Sequence, residues 1–198
     1  MKKITLLLCL LISGLALAQE KTVEKAPELL QDVNKKHELK LNTFNLIVLS
    51  SLDVSYEKLV NRNSSFGVSL FYNFNDINDD LYFPKKFSLT PYYRWFFTEK
   101  RFARGFFVEG FGSLNTFEER SYYYYNGYND GDIIKETNFA IGISVGGKFV
   151  IKSGFVAEVY FGVGRNLFNN NSNNNHDDSY SLENNIITRG GISLGYRF

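Results

Sequence analysis

Cysteine is nearly missing from this 198-residue chain: the single one, Cys9, lies among the first ten residues. A form cleaved after that point cannot be held by disulfides or carry a cysteine-ligated zinc. Histidine is scarce too, with His37 and His176 the two present, and there are three prolines and one tryptophan. Neither charge sign dominates, since 22 basic residues stand against 21 acidic ones. No basic stripe points to a nucleic-acid partner, and none is expected. After residue 18 there is no apolar run of membrane-helix length, so a membrane-embedded form would have to be a barrel.

Residues 1–18 read as a cleaved signal peptide. Lys2 and Lys3 form a positive start, and residues 4–18 are apolar apart from Thr5, Ser13 and Gly14. Ala16 and Ala18 put small residues where signal peptidase needs them, so cleavage is expected before Gln19. The competing reading is a membrane helix, but the run is 15 residues against the ~20 a bilayer requires, and polar sequence follows at once. Lipid attachment at Cys9 is disfavoured because Leu8 stands where a small residue is expected. Without Lys2 and Lys3 the balance becomes 20 basic against 21 acidic residues. Residues 19–37 are charged, contain Pro27 and read as a periplasmic leader; residues 38–198 read as the folded domain.

Aromatic residues are abundant, at 17% with 13 Tyr and 19 Phe. From His37 onward apolar and polar residues alternate with period two, the signature of strands with unlike faces. Eight segments can be drawn: 38–49, 51–61, 64–75, 86–98, 104–117, 136–150, 154–166 and 186–198. Short turns at 61–63, around 99–101 and at 152–154 alternate with longer polar stretches at 76–85, 118–135 and 167–185. The first connection, at Ser50 and Ser51, is tight on the side where a long loop is expected. The pattern implies an all-β fold, an eight-stranded antiparallel up-and-down transmembrane β-barrel with periplasmic turns and outward loops. A soluble periplasmic β-barrel is the alternative, but it has no reason to keep one rim short throughout.

The faces differ in kind. In the last segment Ile192, Leu194, Tyr196 and Phe198 oppose Gly191, Ser193, Gly195 and Arg197. In the sixth, Phe139, Ile141, Ile143, Val145 and Phe149 oppose Ala140, Gly142, Ser144, Gly146 and Lys148. The second face is small and polar with single charges, as a narrow lumen requires. Lys40, Arg94, Lys148 and Arg197 would then meet Asp53, Glu57, Glu109 and Glu158, four positive groups against four negative. An isolated buried charge is very costly, whereas a hydrogen-bonded network neutralises itself, so the expectation is a plugged lumen rather than an open pore. Segment five is less clean, because Phe107 and Phe111 share a face with Glu109. Tyr93, Trp95, Phe97 and Phe155 near one rim, and Tyr72 and Phe74 near the other, fit interfacial girdles.

The closing Leu194, Tyr196 and Phe198, preceded by Ile192, resemble the C-terminal signal read by the barrel-assembly machinery. The opening stretch, in which Ser55, Tyr56, Glu57 and Lys58 lead to a short polar turn and a Gly-containing third strand, is similar to a family of small Bacteroidetes-type outer-membrane barrels of unknown function, OmpA/OmpX-like in form. The resemblance covers residues 38–198. It implies residence in the cell outer membrane of a Gram-negative bacterium, with outer-membrane lipid and the assembly machinery as partners. It brings no activity with it.

Catalysis finds little footing. Lipid-modifying barrels need a histidine beside a nucleophile and an acid, whereas His37 precedes the first strand and His176 sits in an Asn-rich stretch, 169–178. No enzyme activity and no cofactor are expected. His176, Asp177 and Asp178 could ligate a metal, but three consecutive residues rarely converge on one ion without partners, and a solvated loop is the expected reading. Tyr122, Tyr123, Tyr124 and Tyr125 offer large contact area with a polar handle. They read equally as surface-loop contacts for an extracellular glycan or protein and as rings stacked along an extended hairpin. The leading function is therefore structural or interactive, with a narrow channel for small solutes as the alternative and a lipid-modifying enzyme behind both.

Mass spectrometry of the membrane-extracted protein should find an N-terminus at residue 19, and Ala18→Leu should leave the precursor uncleaved; processing elsewhere would remove the signal-peptide boundary.

Overall fold

The computed structural model describes residues 34–75, 83–98, 102–125, 128–169 and 186–198. The expected signal peptide with Ala16 and Ala18, most of the expected leader, and His176, Asp177 and Asp178 lie outside these residues. Eight antiparallel strands form a closed barrel in which each pairs with its sequence neighbours and the last with the first. They are β1 (His37–Asn42), β2 (Ser51–Leu59), β3 (Ser64–Asn73), β4 (Lys85–Phe96), β5 (Gly105–Tyr125), β6 (Tyr128–Val150), β7 (Phe155–Asn169) and β8 (Ile186–Arg197). One short helix, α1 (Thr43–Val48), follows β1. The first strand begins at His37, one residue before the expected boundary.

Alternation is carried through into burial. Along β4, Ser88, Thr90, Tyr92, Arg94 and Phe96 are buried while Leu89, Tyr93 and Trp95 are exposed on the outside. On β6 and β7, Ile141, Ile143, Val145, Val159, Phe161 and Val163 likewise face outward. A closed sheet gives every strand one wall facing in and one facing out, so period two fixes each side chain's destination. Exposed aromatics gather towards both rims. Tyr93 and Trp95 lie 4.7 Å apart by ring centroids and Phe97 and Phe106 5.8 Å at the rim where β1 begins and β8 ends; Tyr72 and Phe74 lie 5.4 Å apart towards the other. At the first rim the backbones of His37 and Phe198 hydrogen-bond to each other.

Two expectations are corrected. The segment expected as a strand over 38–49 is a six-residue strand and then a helix. The Asn42 side chain caps α1 by accepting from the Asn45 backbone N–H, at 3.3 Å. This local bond competes with continued strand pairing, as Asn favours at helix starts. The first connection is thus 43–50, with a helix in it, rather than a tight turn. The stretch 118–135, expected as a loop, is mostly sheet: β5 and β6 pair from Gly105 with Lys148 up to Tyr125 with Tyr128. Beyond Phe117 and Asn138, among the described residues, the two strands pair only with each other, so they form a projecting hairpin. Tyr122, Tyr123, Tyr124 and Tyr125 are in strand β5, not in a loop; their side chains lie outside what is described.

The interior is filled by pairing large residues with glycines on neighbouring strands. The Phe111 ring occupies the space over Gly142, and the Tyr92 ring covers Gly67. A Cβ at Gly142 would overlap the Phe111 ring and come within 2.5 Å of the Val163 carbonyl and 2.6 Å of Gly164 Cα. One at Gly112, on the outer face, would meet only the Phe139 ring at an ordinary 3.5 Å. Gly142→Val should therefore cost about 1–3 kcal/mol in urea unfolding followed by Trp95 fluorescence, while Gly112→Ala stays within about 0.5 kcal/mol. Equal midpoints for both would contradict this packing.

Candidate functional site: a buried charge network below a cavity

Charged residues on seven of the eight strands meet inside the barrel. Inward positions on adjacent strands are brought to one level by register: Arg94 pairs with Glu109 across β4 and β5, and Lys148 with Glu158 across β6 and β7. Arg94 is the hub. Its Nε donates to Glu109 at 2.6 Å, its Nη1 to Glu57 at 2.8 Å and to Glu158 at 2.7 Å, and its Nη2 to Glu158 at 2.9 Å. Lys40 donates to Glu57 at 2.5 Å and to Glu158 at 2.9 Å. Lys148 donates to Glu57 at 2.6 Å and to Glu38 at 2.8 Å. The Glu57 carboxylate thus accepts from three cations and from the Ser65 hydroxyl at 2.6 Å.

All eight charges named from the sequence are buried, and all but Asp53 are joined in one network, Arg197 through Glu38 and Lys148. Lys40, Glu57, Arg94, Glu109, Lys148 and Glu158 make the central network. Arg197 sits at the floor, donating from Nε to Glu38 and from its two terminal nitrogens to the carbonyls of Phe102 and Ala103. Asp53 is held by amides and a hydroxyl: Asn42 at 2.9 Å, Asn45 at 2.8 Å and Ser69 at 2.6 Å. Two members were missed, Glu38 and Arg189; the latter pairs with Glu109. Period two contained the signal for both, because Glu38 shares a face with Lys40, and Arg189 with Ser193 and Arg197. They carry opposite charges, so the balance stays even.

The wall is not only small and polar, as the sequence reading expected. Arg94 lies with its guanidinium carbon 4.3 Å from the Phe107 ring centroid and 4.5 Å from that of Tyr92; Lys148 is 4.8 Å from Phe96. Ring faces carry negative charge density and attract cations while excluding water. Phe107 and Phe111 sharing a face with Glu109 is therefore consistent with an interior strand. Below this level, Leu59, Phe96, Ala103 and Phe107 pack into an apolar cluster with Tyr160.

Above the network lies a cavity of about 480 Å³. Its inner wall carries hydroxyls: Ser88, Thr90 and Ser113 bond one another at 2.8–3.1 Å. No histidine joins them among the described residues. His37 lies at the rim where β1 begins and β8 ends, stacked beside Tyr56 and Phe198, with Nδ1 2.6 Å from the Tyr56 hydroxyl. Among the described residues no group of three His, Cys, Asp or Glu is arranged to hold a metal ion.

The class that these features define is an all-β, eight-stranded closed antiparallel barrel with a charge-paired interior, consistent with an OmpA/OmpX-like barrel. No family model, curated protein or solved structure matches the chain.

Removing Arg94 would leave Glu57, Glu109 and Glu158 without their shared cation. Arg94→Met should lower unfolding stability by about 3–5 kcal/mol, and Arg94→Glu or Glu109→Lys should sharply reduce folding yield in detergent. Neutral outcomes for the two reversals would remove the network from the account of stability.

Proposed function

We propose that this chain is a non-enzymatic outer-membrane β-barrel protein of a Gram-negative cell, with a structural or surface-interaction role and a lumen plugged by paired charges. The observation that carries the reading is the inversion of the usual arrangement: charges inside and Leu, Ile, Val and Phe around the outside. A water-soluble protein seldom exposes contiguous apolar patches larger than a few hundred Å². An apolar wall running round a barrel closed by first-to-last strand pairing is the form that lipid accepts, because closure satisfies the backbone within the sheet. Aromatic pairs towards both rims support the same reading. In this setting the barrel-assembly machinery would insert the chain, and the signal peptide would deliver it.

The plug argues against flow. Arg94 reaches Glu57, Glu109 and Glu158 from three other strands and spans the interior. The projecting β5–β6 hairpin places Tyr122, Tyr123, Tyr124 and Tyr125 beyond the body of the barrel, where an extracellular glycan or protein could meet them.

Membrane fractionation with a heat-shift gel tests the class. The protein should stay in carbonate-washed membranes, dissolve in detergent and migrate faster unheated than boiled. A soluble, heat-insensitive protein would sink the proposal. In planar bilayers no steady conductance is expected; an ohmic conductance would favour the narrow channel instead.

A further inference from the structure

The first strand is too short to close the barrel along its whole height. β1 ends at Asn42, opposite Ser193, while β8 runs on to Ile186. Among the described residues no strand pairs with that flank of β8 above Ser193, and α1 stands there instead. The junction is held by side chains: Asn42 donates to the Gly190 carbonyl at 3.2 Å, and Thr43 donates to the Ile192 carbonyl at 3.0 Å. The cavity reaches this notch. Its lining includes inward residues such as Thr90 and Tyr160 and also Phe44, Phe161 and Ile192, which are exposed on the outer surface. A space walled by both faces of one sheet must open through the sheet, and Gly190 leaves the gap beside β8 without a side chain.

The cavity's electrostatics are one-sided. Asp53 is already satisfied by three donors. Arg189 touches Glu109 through one nitrogen and faces the cavity. Lys85 also lines it, 5.8 Å from the Phe71 ring centroid, and makes no hydrogen bond or ion pair among the described residues. Two cations near a hydroxyl-bearing wall, reached through an apolar mouth, match a molecule with a negative head and an apolar tail. The volume lies in the ~300–1,000 Å³ range of small-molecule sites.

We propose that the notch between α1 and β8 is a side entrance, and that the cavity binds a single-chain amphiphile with an anionic head, a long-chain carboxylate. The head sits on Lys85 and Arg189, and the chain leaves past Phe44, Phe161 and Ile192 into the surrounding lipid. This rests on the outer wall being lipid-facing.

Equilibrium binding of radiolabelled palmitate to the full chain in phosphatidylcholine nanodiscs tests it. Saturable binding near one per barrel is expected, displaced by unlabelled palmitate but not by butyrate or hexadecyltrimethylammonium. Lys85→Gln should weaken it about tenfold, the scale of one lost charged hydrogen bond. Thr188→Trp, at the exposed mouth, should weaken it at least as much. Heat-shift gels report whether each variant is folded, and the displacement arms use the natural sequence alone. Non-saturable uptake, or equal displacement by the cationic amphiphile, would overturn the proposal. A heat-shifting barrel without palmitate binding fails this inference alone; a chain without heat shift or membrane retention fails the membrane reading itself.

Discussion

Glu57 accepting from Lys40, Arg94 and Lys148 at once is the contact on which the barrel's geometry depends. The four residues come from β2, β1, β4 and β6, so one carboxylate ties strands that are not all neighbours in the sheet. A one-residue slip of any of these strands would turn its charge to the apolar outside and strand its partners. Backbone hydrogen bonds alone do not discriminate registers so sharply, because they re-form after a slip. Burial then raises the stakes, since ions withdrawn from water need several donors or acceptors each. Arg94 meets that requirement with three carboxylates and two ring faces.

The aromatic residues and the glycines complete that arrangement. Phe107 and Tyr92 flank the guanidinium, and they find room because Gly146 and Gly67 carry no side chain against them. Large and small positions therefore alternate across strands. The lower half of the interior holds the charge network over an apolar floor, while the upper half retains a cavity edged by hydroxyls. The two halves differ because the inward residues differ: long paired charges with Phe96 and Phe107 below, and above them Ser88, Thr90 and Ser113 facing Lys85 and Arg189 across open space.

The short β1 links this interior to the surroundings. Asn42 does four things there: it caps α1, binds Asp53, reaches the Tyr160 hydroxyl at 3.4 Å and holds the Gly190 carbonyl. Those bonds stop the strand and leave a notch in its place. A longer β1 would have sealed the wall and separated the cavity from the outer face.

Much of this was legible in the sequence. Strict period two on β4, β6, β7 and β8 determined which residues face inward, because a closed sheet leaves each side chain only two destinations. With the alternation of the other segments added, the expected inward charges were Lys40, Arg94, Lys148, Arg197, Glu57, Glu109, Glu158 and Asp53, all of which are buried, but nothing in the pattern said which would touch. Partners depend on register and on barrel closure, which bring residues as distant as Glu38 and Lys148 together. The tertiary structure likewise decided that 43–48 turns helical, since an apolar run after Asn42 suits a strand equally until Asp53 and Gly190 claim the asparagine's amide. The sequence by itself determined the faces, through local alternation. Only the closed barrel decided the contacts, the plug and the notch, because each requires strands far apart in the chain to share one narrow interior.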